Sequence, residues 1–262
     1  MNICFFGLGE AGGLIAKDLA AHDVAINAYD PADVNTPSGV SRHHCPRSAV
    51  KDADLVLALT AGADSEGALT QAIDSIPSTA VYADFASASP GLKQQLAAIA
   101  AKENLLFCDV ALMAMVPGNG LGTPSLVSGS GANQFVTLMK SHGMPVDAVS
   151  DVAGEAAQRK LLRSVSIKGL AAVLIESLEA ATTAGCEEWL WDNLCDQFAQ
   201  ADRLFLRRMV EGTQTHALRR MHEMQASQQM LTELGLQPTM TTATVKSLEI
   251  VQRAGVPAVP EK

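Results

Sequence analysis

A glycine-rich loop near the start of the chain has residue types and spacing that indicate chemistry. Residues 2–6 form a mainly apolar run, and the chain continues as Gly7-Leu8-Gly9-Glu10-Ala11-Gly12 before a helix-like segment. In a G-x-G-x-x-G loop the first glycine permits a tight turn and the second lets a pyrophosphate approach the backbone. The third lets the helix lie close to the strand. Free N–H groups and the helix dipole favour phosphate at such a helix start. The pattern predicts a dinucleotide-binding loop, the alternative being a glycine-rich turn without a ligand.

An acidic residue at the end of the next apolar run indicates which dinucleotide is bound. Residues 24–29 alternate in polarity and end on Asp30, about 20 residues after the loop. A carboxylate at this place accepts hydrogen bonds from the ribose hydroxyls, and its charge repels a 2′-phosphate. We therefore expect NAD as the cofactor, with NADP as the alternative.

Composition excludes several classes of protein. The chain has 262 residues, of which 48% are apolar, and a net charge of −9. That charge argues against nucleic acid as a partner. No apolar run is long enough to span a membrane, and the first apolar run lacks the basic flank and length of a signal peptide. We therefore expect a cytoplasmic protein without membrane or nucleic-acid partners.

The cysteines and histidines do not form a metal-binding pattern. The five cysteines are scattered and unpaired in spacing, which is typical of reduced thiols. His43-His44-Cys45 places three potential ligands side by side, but adjacent side chains point in different directions. We expect this segment to be a solvated loop and expect no metal site.

The first 150 residues repeat a short apolar run, a polar turn and a helical stretch. This rhythm predicts βαβ units and a largely parallel sheet covered on both faces. Predicted strands include residues 54–59, 80–83, 105–108 and 125–128, and predicted helices include residues 90–102 and 134–142. Ligands bind at the carboxyl ends of such strands. The loops expected there are Gly7–Gly12, Asp30–Pro31, Thr60–Asp64, Asp84–Pro90 and Asp109–Gly122.

The pattern changes after Gly154. Residues 155–184 contain no proline and only one glycine, and they predict one long helix that ends at Gly185. Its apolar face is broad, so we expect it to be buried on several sides. Residues 187–251 have helical spacing throughout. The predicted fold is α/β, with an N-terminal Rossmann doubly wound parallel sheet (residues 1–153) and a C-terminal all-helical domain (residues 154–262).

Four segments together resemble the β-hydroxyacid dehydrogenase superfamily, which includes 3-hydroxyisobutyrate dehydrogenases and 6-phosphogluconate dehydrogenase. They occur in the order of that family and cover residues 1 to about 185. Residues 106–128 and 154–180 look closest to a phosphogluconate-dehydrogenase-like sub-branch. The segments are Gly7–Gly12 with Asp30, the turn Asp84-Phe85-Ala86-Ser87-Ala88-Ser89-Pro90, the stretch Asp109–Ala114 with Gly120–Thr123, and Gly154-Glu155-Ala156-Ala157-Gln158-Arg159-Lys160.

The resemblance implies that Lys160 is the catalytic acid or base. Oxidation of a secondary alcohol requires removal of the hydroxyl proton as hydride leaves for the nicotinamide, and a desolvated lysine can exchange that proton. A solvated or snorkelling lysine is the alternative for this position taken alone.

Residues expected around the substrate depart from the family pattern. The family commonly has Asn where this chain has Ser164, and Asn or His where it has Arg163. Arg163 can pair with a carboxylate or phosphate, although a surface arginine is an equal alternative. The Ser-Gly-Gly of the family becomes Met113-Ala114-Met115, which predicts a less polar substrate if Met113 faces the pocket. Thr123 is the fourth residue expected near the substrate.

Further candidates have weaker support. Thr60 and Ser87 follow strands at positions where relatives hold the cofactor, but either can instead cap a helix. Relatives form dimers through their helical domains, so a homodimer or higher homo-oligomer is expected here. Four residues of the helical domain reach a partner's site or form a solvated face: His216, His222, Arg219 and Arg220. Trp189 and Trp191 are expected in the helical core or an interface.

Three functions compete at this level. The first is an NAD(P)-dependent dehydrogenase that oxidises the hydroxyl of a small 3-hydroxyacid-like substrate. The second is an NADPH-dependent reductase of imine or keto substrates. The third is a non-catalytic dinucleotide-binding protein. Retention of Lys160 and Asp30 favours the first.

Overall fold

The structure is a computed structural model that describes residues 1–261. The strands are β1 (Asn2–Phe6), β2 (Ala25–Tyr29), β3 (Val40–His43), β4 (Leu55–Ala58), β5 (Val81–Asp84), β6 (Leu106–Leu112), β7 (Ser125–Ser128) and β8 (Val146–Ser150). The helices are α1 (Glu10–Leu19), α2 (Pro46–Val50), α3 (Ser65–Thr70), α4 (Pro90–Lys102), α5 (Ala132–Lys140), α6 (Glu155–Ala184), α7 (Glu187–Ala199), α8 (Arg203–Glu233) and α9 (Thr239–Ala254).

The eight strands form one sheet in the order β3-β2-β1-β4-β5-β6-β7-β8. All neighbours are parallel except β6 and β7, which pair antiparallel. Strands β1, β4 and β5 are almost wholly buried because each face of the sheet packs against its own apolar cluster. This confirms the predicted doubly wound sheet and places the carboxyl ends of β1, β4 and β5 along one edge.

The structure corrects two local predictions. Strand β6 runs to Leu112, so Asp109 lies in the middle of a buried strand rather than at the start of a loop. His43 ends strand β3 and is not in a solvated loop; its ring nitrogens lie 3.0 Å from Asn27 Oδ1 and 3.2 Å from Ser48 Oγ. Within residues 1–261 no group of three or more His, Cys, Asp or Glu side chains is arranged to hold a metal ion.

The chain divides into two compact units, with the boundary between Arg163 and Ser164 inside α6. We call residues 1–163 the sheet unit and the remainder the helical unit. The boundary lies ten residues beyond the predicted one. Helices α8 and α9 pack together in the helical unit, and α8 is kinked at His216.

Apolar side chains of the helical unit are far more exposed than the sequence predicted. Val165 is 74% exposed, Ile175 66% and Trp189 66%. The expectation that α6 is buried on several sides is therefore wrong for the single chain. Trp189 and Trp191 are not in its core, and their place in an interface stays a prediction. In the described part of the chain, none of the helices combines the length and apolar character needed to cross a membrane.

Candidate functional site

The glycine-rich loop joins β1 to α1, and each of its glycines has its own reason to lack a side chain. Gly7 has φ +92°, and a Cβ there would lie 2.5 Å from the Leu59 carbonyl oxygen. A Cβ on Gly12 would lie 2.1 Å from the Gly7 carbonyl oxygen, so only glycine lets α1 begin this close to the strand. A Cβ on Gly9 would meet nothing within 4 Å. Gly9 thus borders open space, which fits the place where a pyrophosphate approaches the backbone.

The start of α1 is suited to an anion. Within residues 1–261 no side chain caps this helix at Gly9. Leu8 lies buried beneath the loop, whereas Gly9 and Glu10 are exposed. The first-turn N–H groups and the helix dipole therefore remain to favour phosphate, as the sequence predicted.

Asp30 follows β2 and stands beside the loop. Its Oδ2 accepts a hydrogen bond from the Leu8 N–H (2.7 Å) and its Oδ1 accepts one from the Ala32 N–H (2.9 Å). The carboxylate thus fixes the glycine loop to the turn after β2. Each oxygen retains a further lone pair with which it can accept a ribose hydroxyl.

A cavity of about 530 Å³ lies between the glycine loop and the segment after β4. Its lining includes Gly7, Gly9, Asp30, Thr60 and Asp64. This is the carboxyl edge of the sheet, where an α/β fold of this type binds its ligand. Open space at Gly9, the exposed start of α1 and Asp30 together fit a dinucleotide.

Lys160 lies at a second cavity along the same edge. This cavity has a volume of about 290 Å³ and is lined by Ala11, Leu59, Thr60, Ala61, Gly62, Phe85, Ser87, Leu112 and Lys160. The Lys160 Nζ donates a hydrogen bond to Ser87 Oγ at 3.0 Å. Three residues, Leu59 to Ala61, line both cavities. A continuous wall therefore runs from Asp30 at one end to Lys160 at the other.

Thr60 lies in the wall shared by the two cavities. Its hydroxyl oxygen is buried and has no hydrogen-bond partner among the described residues. A buried hydroxyl without a partner is costly, so a polar group of a bound ligand would stabilise it. The contacts of Thr60 and Ser87 with the cofactor stay predictions, and the position of Thr60 in the cavity wall supports them.

The four residues predicted to contact substrate lie in different surroundings from one another. Arg163 Nη1 donates to the Met113 carbonyl oxygen, which ties α6 to the segment after β6. Met113 is half-buried. Thr123 is fully buried and its hydroxyl donates to the Gly120 carbonyl oxygen at 2.7 Å, a role in the loop itself. Ser164 is half-buried at the start of the helical unit.

Two buried acids, one at the end of β5 and one in the middle of β6, were missed as functional candidates. Asp84 and Asp109 sit opposite each other on β5 and β6, and neither is exposed. Lys93 Nζ lies 2.8 Å from Asp84 Oδ2 and donates to the Asp84 carbonyl oxygen as well. Burial raises the pKa of the Asp84 carboxyl, the Lys93 ammonium opposes that shift, and the nearby Asp109 adds to it. The sequence signal for Asp109 was a single acid within the apolar run 106–112.

Asp109 caps the helix that carries Lys160. Its Oδ2 accepts hydrogen bonds from the Gly154 N–H (2.7 Å), the Ala157 N–H (3.4 Å) and the Ser128 hydroxyl (2.9 Å). The Ser128 oxygen accepts in turn from the Ala156 N–H at 3.0 Å. Two strands thus supply the N-terminal cap that Gly154, which has no side chain, cannot give.

Residues of α8 lie in the helical unit. Arg219 pairs with Glu223 on the same helix, and Arg220 donates to the Met209 carbonyl oxygen at 3.3 Å. His216 marks the kink of α8, and His222 lies further along the same helix. A role for these four residues in a partner's site stays a prediction.

One relative found by sequence is itself described as uncharacterised. An uncharacterised 28.5 kDa protein in the 7S RNA 5′ region of Methanothermus fervidus is 27% identical over 164 residues, which is 63% of this chain and 63% of that protein. The match therefore spans less than two thirds of that relative.

Solved structures share the fold. A conserved hypothetical protein from Sinorhizobium meliloti is 29% identical, with a TM-score of 0.64 over 97% of this chain and 89% of that one. An imine reductase from Myxococcus stipitatus in complex with NADP⁺ is 16% identical, with a TM-score of 0.81 over 98% of this chain and 96% of that one. Its V8 variant in complex with NAD⁺ gives a TM-score of 0.80.

Two family models match parts of the chain. Residues 181–251 match a domain of unknown function, DUF1932. Residues 2–154, more than half of the chain, match the NAD binding domain of 6-phosphogluconate dehydrogenase. NAD(P) accordingly fits the cleft, and the resemblance inferred from the motifs is confirmed. The chain belongs to the family defined by the NAD binding domain of 6-phosphogluconate dehydrogenase.

Proposed function

We propose that this protein is an NAD(P)-dependent dehydrogenase that oxidises the hydroxyl of a small 3-hydroxyacid-like substrate. The observation that carries the proposal is the wall Leu59–Ala61, shared by the cavity at Asp30 and the cavity at Lys160. A dinucleotide held at the first cavity by Gly9 and Asp30 would extend toward the lysine that lines the second. Family membership supports the cofactor, and Lys160 supplies the reaction class.

Lys160 acts as the general base in oxidation and as the general acid in reduction. Bound NAD(P) supplies the acceptor for the hydride that leaves the substrate carbon. Lys160 Nζ takes the hydroxyl proton, for which it must be neutral at the moment of transfer. The Ser87 hydroxyl, which accepts a hydrogen bond from Nζ at 3.0 Å, holds that amine at the mouth of the cavity.

Arg163 and Met113 favour a substrate with one anionic and one apolar part. Arg163 is exposed and uses Nη1 on the Met113 carbonyl oxygen, which leaves other guanidinium N–H groups for a carboxylate. Met113 presents an apolar side chain where relatives have a small polar one. A hydroxyacid with an apolar substituent satisfies both.

Asp30 favours NAD over NADP. Asp30 lies at the cavity that holds Gly7 and Gly9, and the exposed Asp33 in the same turn pairs with Arg42 at 4.0 Å. A 2′-phosphate placed at Asp30 meets like charge, whereas a ribose hydroxyl donates to the carboxylate. We expect kcat/KM to be higher with NAD⁺ than with NADP⁺.

A panel of hydroxyacids assayed with NAD⁺ and NADP⁺ tests the proposal. Lys160→Met should lower kcat by about 10² to 10⁴, the usual contribution of a general acid or base, while NAD⁺ binding measured by calorimetry is unchanged. Lys168→Met removes an exposed lysine of the same helix and should leave turnover as it is. Full activity of Lys160→Met would refute the assignment.

The same panel separates the alternatives. Reduction of cyclic imines with NADPH, without oxidation of any hydroxyacid, would establish the reductase. Tight NAD⁺ binding without turnover in either direction would establish a non-catalytic binding protein. Either result leaves the cofactor site intact and replaces the reaction.

We also propose that the protein pairs with a second copy through its helical unit. Three apolar side chains of α6 in this unit are at least half exposed in the single chain: Val165, Ile167 and Ile175. Exposed apolar surface of this extent on one helix is typical of an interface. Light scattering should give twice the chain mass, and Val165→Glu with Ile175→Glu should reduce it to one.

A further inference from the structure

A buried carboxylate lines the same small cavity as the proposed catalytic lysine. Asp109 and Lys160 both line a cavity of about 10 Å³, together with Ser87 and Ala157. Asp109 is not exposed, and its Oδ1 has no hydrogen-bond partner among the described residues. Oδ2 of this carboxylate thus accepts hydrogen bonds, and Oδ1 accepts none from the described residues.

Asp109 acts only as a hydrogen-bond acceptor. Each of its hydrogen bonds comes from an N–H or O–H group and ends on Oδ2. The donors include the first turn of α6, whose dipole also stabilises negative charge. A buried charge of this kind is stabilised by a nearby cation.

Other cations in the neighbourhood have partners elsewhere. Lys93 pairs with Asp84, and Arg159 pairs with Glu155 on the outer side of α6. Arg163 donates to the Met113 carbonyl oxygen. Lys160 is the cation among the residues that line the small cavity with Asp109.

We propose that Asp109 is the positioning residue for Lys160: its carboxylate fixes the start of α6 and holds the lysine amine beside Ser87. The inference rests on the proposed function only for its effect on turnover. Its effects on the chemical reactivity of Lys160 and on folding do not depend on any substrate.

The geometry of α6 explains how one carboxylate can cap the helix and also position the Lys160 amine. Lys160 lies three residues beyond Ala157, whose N–H Asp109 binds, so the side chain rises from the second turn of the capped helix. Any shift of the first turn would move Nζ relative to Ser87 Oγ. Loss of the negative charge would additionally favour the neutral amine.

Competitive acetylation measures, without any substrate, how the Asp109 charge changes the reactivity of the Lys160 amine. Acetic anhydride reacts with neutral amines, and Lys168 on the same helix serves as the internal standard in peptide mass spectrometry. In Asp109→Asn, whose amide oxygen can still accept from Gly154, we expect the reactivity of Lys160 relative to Lys168 to rise at least threefold. Ser128→Ala loosens the cap but keeps the charge, so its ratio should stay near the wild-type value.

Equal ratios in the two variants would overturn the proposal that the Asp109 carboxylate holds the lysine amine, because Asp109 would then have no effect beyond that of the cap. If Asp109→Asn does not fold, thermal unfolding of Lys160→Met against Lys168→Met decides the question. If Lys160 stabilises the Asp109 carboxylate as proposed, Lys160→Met should lower the melting temperature, whereas Lys168→Met should not. Equal melting of those two variants would also overturn it.

Kinetics distinguish this proposal from the proposed function. With an active substrate, Asp109→Asn should lower kcat at least tenfold with little change in the KM for NAD⁺. If Lys160→Met keeps full activity, the proposed function fails, and the acetylation result still decides whether Asp109 positions Lys160.

Discussion

Both units of the molecule cap a helix with a carboxylate from another element, but they do so in opposite surroundings. In the sheet unit Asp109, which is fully buried, caps α6. In the helical unit Glu176 of α6 caps α9: it accepts from the Met240 N–H (2.7 Å) and the Thr241 N–H and hydroxyl (2.8 and 2.7 Å). Glu176 is only half-buried. Water can therefore replace the Glu176 cap of α9, but it cannot replace the Asp109 cap of α6.

This difference predicts where substitutions matter. Loss of a buried cap leaves N–H groups that neither protein nor solvent satisfies, whereas loss of an exposed cap returns them to water. The stability of the sheet unit should therefore depend on single atoms around Asp109. The helical unit should tolerate changes of the same kind.

The largest effect is expected at Gly154, the residue at the start of α6. Its φ is +97°, and a Cβ would lie 2.8 Å from the Pro90 carbonyl oxygen. Gly154→Ala should lower the free energy of unfolding by about 3 kcal/mol through backbone strain and this clash. Denaturant unfolding followed by circular dichroism measures the change.

Gly169, in the interior of the same helix but in the helical unit, is the matched control. A Cβ there meets nothing within 4 Å outside the helix backbone. Gly169→Ala should raise stability by about 0.5–1 kcal/mol, because alanine is the better helix former. Equal effects at the two glycines would show that the start of α6 is not constrained as described.

The next effect is expected at Ser128, which joins Asp109 to the helix. Its hydroxyl donates to Asp109 Oδ2 and accepts from the Ala156 N–H, and the residue is not exposed. Ser128→Ala should cost about 1–3 kcal/mol, since a buried N–H loses its acceptor. In Ser177→Ala the lost hydroxyl bonds a helix carbonyl, so the cost should stay below about 0.5 kcal/mol. A loss at Ser128 no larger than at Ser177 would contradict the argument.

Elements with a strong local pattern could be predicted from sequence. The bounds of α4 and α6 match the predicted segments 90–102 and 155–184, because caps, prolines and glycines mark their ends. The short strands β3 and β8 were missed: each mixes polar and apolar residues and is stabilised mainly by pairing with its neighbours.

The site divides in the same way. Gly7, Gly12 and Asp30 could be predicted as site residues because their spacing is local. Asp109 was not, because its partners Ser128 and Gly154 are 19 and 45 residues away and only the folded sheet brings them together. The exposure of the α6 apolar residues is likewise invisible to periodicity, which predicts an apolar face but not what covers it.

The smallest effect is expected at Glu176, and pH gives it a signature. Desolvation raises the pKa of this carboxyl, but hydrogen bonds from Thr241 Oγ1 and the first N–H groups of α9 lower it, and the net shift is downward. Glu176→Gln should lower the free energy of unfolding by about 0.5–1 kcal/mol at neutral pH, as for loss of a helix cap.

Because the folded-state pKa lies below the unfolded value of about 4.3, the stabilisation is fully present above that pH. It is lost as the pH falls through the lowered folded-state pKa. Wild type and Glu176→Gln should then become equally stable. Unfolding midpoints of wild type and Glu176→Gln, compared at neutral and acid pH, measure this convergence. Glu179→Gln, an exposed change one turn from Glu176, should show no such pH-dependent difference. A deficit in Glu176→Gln that persists unchanged in acid would mean that Glu176 stabilises α9 by packing rather than by charge.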